Sequence, residues 1–412
     1  MNGVRGVLLV TLGTVLQTST VIMAAPPVLP FVPRAPSSSS SPSPSPSPPQ
    51  QPPAPAIETR VAAKALRLSR PLNDGWKFRR VTGPAVPVEA WLPATVPGCV
   101  HTDLFANKKI GDPFYRLNEK DQQWIERESW EYRTTVKADA DLLAHERIEL
   151  VFAGLDTYAE VFVNGASVLG AANMFRTWRV EVKKYLYAGD NNLVVRFRSP
   201  ILQVKAAYDR LGYKLPAVND QAAEMVSMFT RKAPYHYGWD WGPRFVTSGI
   251  WRTVTLDAWD HARLDDVQIF QNQLDAATAR LTVKARVQAT RPGLATISVG
   301  SIGNVGNADN VGAAPLARVA ANLKVGANDI VIPLQIEKPQ RWWPNGLGPQ
   351  HLYSFETTVS IDATVRDQRR TRIGLRTVEV VHERDKDGKS FIIRVNGTPV
   401  FMKGANWIPA DS

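Results

Sequence analysis

From about residue 65 onward, apolar positions recur in short runs of four to nine residues. They are rich in Val, Phe, Leu and Ile and bounded by Gly, Asn or Asp, as at 147–152, 159–164, 192–197 and 252–256. Runs of this length and composition, separated by turn residues, predict antiparallel strands. Val161-Phe162-Val163-Asn164-Gly165-Ala166-Ser167-Val168-Leu169 predicts a hairpin closed by an Asn-Gly turn, and Asn396-Gly397 between Ile393 and Val400 repeats the device. The strand pattern breaks between 201 and 229, where 203–211 and 221–229 have helix-forming composition. Two short helices are expected there, in an insertion that leads directly into an aromatic segment.

Beyond Trp259 the pattern changes. Strands are predicted at 267–270, 279–287, 295–299, 329–333, 352–361 and 371–375, with a Gly/Asn/Ala-rich loop at 300–312. Six or so strands in about a hundred residues fit an immunoglobulin-like sandwich without the cysteine pair of antibody domains. Arg341-Trp342-Trp343-Pro344-Asn345-Gly346 is its most distinctive loop and reads as an aromatic plug between domains. From 378 a hairpin is expected, followed by a strand through Val400-Phe401-Met402-Lys403-Gly404-Ala405-Asn406-Trp407. A strand ending in polar and aromatic residues is how barrel enzymes present site residues at the carboxyl ends of their strands.

The first 62 residues belong to no such pattern. Arg5 precedes an apolar stretch at 7–23 that is broken by Gly13, Gln17 and several Thr and Ser, and Ala24-Ala25 follow. This reads as a secretory signal over 1–25, placing the protein outside the cytoplasm, secreted or periplasmic, or lysosomal in a eukaryote. The polar interruptions argue against a stable membrane span. Residues 26–62, with five consecutive serines and then Ser-Pro alternation, form a linker too poor in apolar side chains to build a core.

Net charge is +11 over 412 residues, yet Lys and Arg recur singly along strand-like segments such as 281–287. A solvated sheet face accounts for that spacing, and no nucleic-acid partner is expected. Cys99 is the single cysteine, which excludes an intramolecular disulfide. The six histidines are scattered without ligand spacing, so neither a metal site nor a cofactor is expected.

The segment with most chemical content is Tyr235-His236-Tyr237-Gly238-Trp239-Asp240-Trp241-Gly242-Pro243. An indole offers a flat apolar face to a pyranose, and an ionised carboxylate accepts from two neighbouring hydroxyls at once. The competing interpretation is a turn whose two tryptophans fill a core.

These segments, with Leu72-Asn73-Asp74-Gly75-Trp76-Lys77-Phe78, Val96-Pro97-Gly98-Cys99-Val100-His101-Thr102-Asp103-Leu104, Phe152-Ala153-Gly154-Leu155-Asp156-Thr157, Arg231-Lys232-Ala233-Pro234 and Gly404-Ala405-Asn406-Trp407-Ile408-Pro409-Ala410-Asp411, resemble glycoside hydrolase family 2, and within it the β-mannosidases. Galactosidase and glucuronidase relatives carry a histidine- or lysine-containing segment where this chain has Trp407-Ile408-Pro409, and they lack the Trp-Asp-Trp-Gly-Pro loop. The resemblance implies a mainly β chain. A galactose-binding-like jelly roll would occupy 63–261, an immunoglobulin-like β-sandwich 262–376, and the first strands of a truncated (β/α)8 barrel 377–412. It implies a retaining exo-β-mannosidase acting on β-mannoside oligosaccharides, with Trp239, Asp240 and Trp407 binding substrate. The acid/base and nucleophile would be glutamates on later barrel strands beyond Ser412, since a barrel takes about 250 residues. Glu379 and Glu383 read as polar residues of a connecting strand, so no catalytic residue is expected within the chain. A non-catalytic carbohydrate-binding module and a structural β-sandwich remain the alternatives.

Overall fold

The computed structural model describes residues 67–81, 89–217, 219–220, 222–240, 242–302 and 315–408. The expected signal and linker, the tip of the 300–312 loop, Trp241 and the last four residues therefore lie outside the described residues.

Ten strands build the first sandwich: β1 (Arg67–Pro71), β2 (Lys77–Val81), β3 (Leu92–Pro93), β4 (Ser129–Ala138), β5 (Arg147–Phe152), β6 (Tyr158–Val163), β7 (Ala166–Ala172), β8 (Trp178–Glu181), β9 (Gly189–Phe197) and β10 (Val254–Trp259). They form a six-stranded sheet ordered β3-β2-β4-β9-β6-β7 and a four-stranded sheet ordered β1-β10-β5-β8. Every pairing is antiparallel. Period-two alternation sets the inner face, as Leu193, Val195 and Phe197 on β9 turn inward together. They meet Phe78, Trp130, Tyr132, Phe152 and Leu256 in one core. The β6–β7 hairpin turns on Asn164 and Gly165 with φ of 50° and 85°, the left-handed pair that a type I′ turn requires.

Seven strands build the second sandwich: β11 (Ala262–Leu274), β12 (Thr278–Ala289), β13 (Gly293–Ser301), β14 (Ala317–Leu323), β15 (Gly326–Glu337), β16 (Tyr353–Ile361) and β17 (Thr364–Ile373). The sheets are β11-β12-β15 and β14-β13-β16-β17, an immunoglobulin-like arrangement. Leu281, Val283, Ala285 and Val287 of β12 face Ile297, Val299, Phe355 and Val359 across its core.

A charged junction links the two sandwiches. Arg67 reaches Asp367 of β17 at 2.7 Å and Asp257 of β10 at 3.6 Å, while Glu149 of β5 takes Arg179 at 2.9 Å and Arg263 at 3.3 Å. At the far end the backbone N–H of Trp342 donates to Leu375 O (2.8 Å), and its carbonyl accepts from Asn396 Nδ2 (3.0 Å). The aromatic loop thus sits between the second sandwich and a small sheet of β18 (Val378–Val381), β19 (Ile392–Val395) and β20 (Thr398–Val400).

Two expectations need correction. Helix forms at Pro200–Leu211 as expected, whereas 221–229 yields only a 3-10 turn at Ser227–Phe229. The carboxylate of Asp220 accepts from the backbone N–H of Ser227 (3.0 Å) and from Arg244, and Val226 is driven into the core, which ties the segment into a loop. The strand expected through 400–407 ends at Val400, because residues 401–408 find no pairing partner among the described residues.

Candidate functional site

Between Pro200–Leu211 and β10 the chain makes a long excursion over the first sandwich. Two buried charge clusters fix its course. In the first, Lys232 Nζ donates to both oxygens of Asp156 (2.6 and 2.5 Å) and to Thr247 O (2.8 Å), while Thr247 Oγ1 donates to Asp156 Oδ2 (2.7 Å). Neither Lys232 nor Asp156 is more than a few per cent exposed. Burial pushes the Asp156 carboxyl up, but Lys232, His236 and the hydrogen bonds outweigh it and hold the group below its ordinary range. For Lys232 burial wins, lowering the ammonium despite its partner. Burial and the Lys232 charge push the neighbouring His101 down to about 4, so it is neutral at pH 7.

Arg244 centres the second cluster. Its guanidinium donates to Asp220 (2.7 Å), Glu126 (3.0 Å) and the carbonyl of Tyr237 (2.9 Å), and its backbone N–H donates to Glu119 (2.6 Å). Burial holds the Glu126 carboxyl above its usual range, with Arg244 opposing. Gln123 Nε2 donates to the Arg244 carbonyl (2.9 Å), completing the grip. Tyr237 is fully buried and shares a hydrogen bond with Thr230 (2.8 Å).

From this base a tight turn projects. Gly238 adopts φ of +107°, which a Cβ would disfavour, and the Trp239 N–H donates to Gly242 O at 3.4 Å. Trp239 is half-buried, whereas Asp240 is exposed with no hydrogen-bond or ion-pair partner among the described residues. The turn therefore presents one acceptor-only group from a rigid root, an arrangement suited to paired hydroxyl donors. Of the two tryptophans of the core-plug interpretation, Trp239 is half-buried and Trp241 lies outside the described residues.

Trp407 is placed differently. It is 90 % exposed on the unpaired 401–408 segment, so the described residues do not assemble it into a pocket with Trp239 and Asp240. Glu379 and Glu383 are both exposed, and Glu383 faces Arg394 at 3.4 Å. Among the described residues no group of His, Cys, Asp and Glu has the arrangement of a metal site. Nor is any helix among them long and apolar enough to cross a membrane.

Sequence reasoning missed both charge clusters. Their signal is a charged residue set in apolar surroundings: Asp156 after Gly154-Leu155, Lys232 before Ala233-Pro234, and Arg244 before Phe245-Val246.

Comparison with known proteins bears on this arrangement. Residues 76–252 match the glycosyl hydrolase 2 galactose-binding domain-like model, and 262–376 match the model of glycosyl hydrolases family 2. Beta-mannosidase B of Aspergillus terreus is 36% identical over 345 residues, covering 83% of this chain and 39% of the relative. The beta-mannosidase of Bos taurus is 32% identical over 365 residues, covering 85% and 39%. Among solved structures, the beta-D-mannosidase of Dictyoglomus thermophilum superposes with a TM-score of 0.75 at 35% identity, covering 84% of this chain and 40% of that one. An exo-chitosanase from Amycolatopsis orientalis, 22% identical with a TM-score of 0.61, shares the fold. The chain spans about two fifths of the length of these relatives.

Proposed function

The chain belongs to glycoside hydrolase family 2, and from that premise we propose that it is the N-terminal portion of a retaining exo-β-mannosidase that removes terminal β-mannose from oligosaccharides. The carrying observation is the turn at Trp239 and Asp240, an exposed carboxylate held out from a base pinned by two buried charge clusters. In this reading Asp240 accepts from two hydroxyls of the terminal mannose, remote from the scissile bond, and Trp239 bounds the same sugar. Preorganisation is the point. A carboxylate carried on a backbone that is already pinned at its root leaves only side-chain rotation to be lost on binding, and its charge-assisted contacts strengthen as the sugar ring distorts toward the transition state.

Bond cleavage with retention requires two carboxyl groups about 5–5.5 Å apart, one protonating the leaving oxygen and one attacking the anomeric carbon. Those groups would come from a catalytic domain of the kind that makes up the rest of the relatives' length. Trp407 would line the pocket only when its segment is taken up as a barrel strand.

A chimaera joining residues 1–408 to the remaining portion of the Dictyoglomus thermophilum enzyme tests this. It should hydrolyse p-nitrophenyl β-D-mannoside, and Asp240→Ala should reduce kcat/KM by about 2–4 kcal/mol, with folding unchanged. An active chimaera indifferent to Asp240→Ala would contradict the assignment.

The leader at 1–25 further supports an exported protein. N-terminal sequencing of the protein from its native source should begin near Ala25, and an intact Met1 would contradict export.

A further inference from the structure

A cleft of about 510 Å³ opens at the β3 edge of the first sandwich, away from the charge clusters that root the 239–242 turn. Its size lies in the range of about 300–1,000 Å³ typical of small-molecule sites. Trp130 forms the floor and Leu92 part of the wall, while Arg80, Glu89, Lys109 and Trp124 stand around the mouth. Trp124 is 39 % exposed, and its indole N–H has no acceptor among the described residues. Its ring lies 6.0 Å from that of Trp130, tilted by 44°, so one edge is anchored in the core while the rest faces the cleft. The Arg80 guanidinium sits over the ring, 5.6 Å from its centroid and within cation–π reach, so it holds the indole in place while 39 % of Trp124 stays exposed.

The polar rim has a matching character. Arg80 binds Glu89 Oε1 through two nitrogens (2.9 and 2.6 Å) and stands 3.6 Å from Glu128 through the third, so two carboxylates fix the guanidinium at the rim beside Glu89. Lys109 is exposed and has no ion-pair partner among the described residues. An anion entering this mouth meets Glu89, and a cation meets Arg80 and Lys109. A neutral ring with one apolar face and hydroxyls that both donate and accept satisfies every wall at once.

We propose that this cleft is a second binding site for a neutral pyranose, which packs on the exposed part of Trp124 and sets its hydroxyls against the Arg80–Glu89 pair. The site does not depend on the mannosidase reading. It is nonetheless joined to the 239–242 turn through one element, the 3-10 helix Gln123–Arg127, which carries Trp124 on the cleft side while Gln123 and Glu126 grip Arg244. A longer oligosaccharide held at the cleft is thereby retained on the same domain that bears Asp240.

Isothermal titration of the 412-residue chain with β-1,4-mannotriose and with cellotriose tests the proposal. At least one trisaccharide should bind the unaltered chain. Trp124→Ala should weaken binding at least tenfold, and Glu89→Ala, at the half-exposed rim where folding is not at stake, several-fold. Binding of cellotriose alone would support the cleft while counting against mannoside specificity. Absence of binding to either sugar at millimolar concentration, or binding that survives both Trp124→Ala and Glu89→Ala, would overturn it.

Discussion

Asp103 is a buried carboxyl displaced well above its ordinary range. It lies on the short helix Val100–Ala106 and accepts from the Thr95 N–H (2.8 Å) and the Tyr132 hydroxyl (2.8 Å), with no cation beside it. Burial lifts its pKa to about 6, the two hydrogen bonds opposing. The folded state therefore binds a proton more tightly than the unfolded chain, whose Asp titrates near 3.8. Its contribution to stability is complete below about pH 4 and is lost as pH rises through 6, a change of roughly 2–3 kcal/mol at 1.4 kcal/mol per unit. Asp103→Asn, neutral throughout, should remove that part of the pH dependence. Denaturant titrations at pH 4.5 and pH 7.5 check it, and an unchanged difference between wild type and variant across the two values would refute the assignment. Asp156 behaves oppositely because Lys232 sits on it, which is why that carboxylate can serve as a permanent anchor and Asp103 cannot.

At the scale of elements, the excursion from β9 to β10 depends on how Pro200–Leu211 begins. Ser199 accepts from the Leu202 N–H (3.1 Å), Pro200 occupies the first turn, and Ser199 Oγ also donates to the Glu126 carbonyl (2.6 Å). One hydroxyl thus caps the helix and ties it to the 3-10 helix that holds Arg244. Ser199→Ala should cost about 1–2 kcal/mol, the cap plus one buried hydrogen bond, measured as a shift in the urea midpoint at constant slope. A change below a few tenths would remove the cap from the account. Most strands and both Asn-Gly turns were legible in the sequence because alternation and turn chemistry are local, whereas β14, an Ala- and Asn-containing strand at a sheet edge, was not read. The loop at 212–229 was not, since Asp220 and Arg244 meet across 24 positions and no local propensity records that bond. Polar edge strand β17 was legible only at its end, as Arg366 to Arg372 carry little apolar signal. The motif around Asp240 left a sugar-binding surface and a core plug both open, and the structure shows the Asp240 side chain exposed. The fate of Trp407 could not be read, because a strand exists only where a partner strand pairs with it.

At the scale of the whole molecule, the buried charges of the described residues gather at junctions and at the roots of loops. Glu131 takes Arg79 and Arg196, Glu149 takes Arg179 and Arg263, Asp257 and Asp367 share Arg67, and Asp220 and Glu126 share Arg244. Burial pushes the Glu131 carboxyl up, but Arg79 and Arg196 outweigh it and hold the group below its ordinary range, whereas burial wins at Glu126 despite Arg244. Asp103 has the displaced pKa of an acid, but it is enclosed by Tyr132 and Thr95 in the core and meets no substrate. On the proposed reading, the described residues supply a turn that holds mannose on a rigid scaffold, and the bond-breaking groups come from a further domain. The most direct measurement is release of nitrophenol from p-nitrophenyl β-D-mannoside by the purified 412-residue chain. The account predicts no turnover above the buffer rate, and turnover abolished by mutating a carboxylate within residues 67–408 would contradict it.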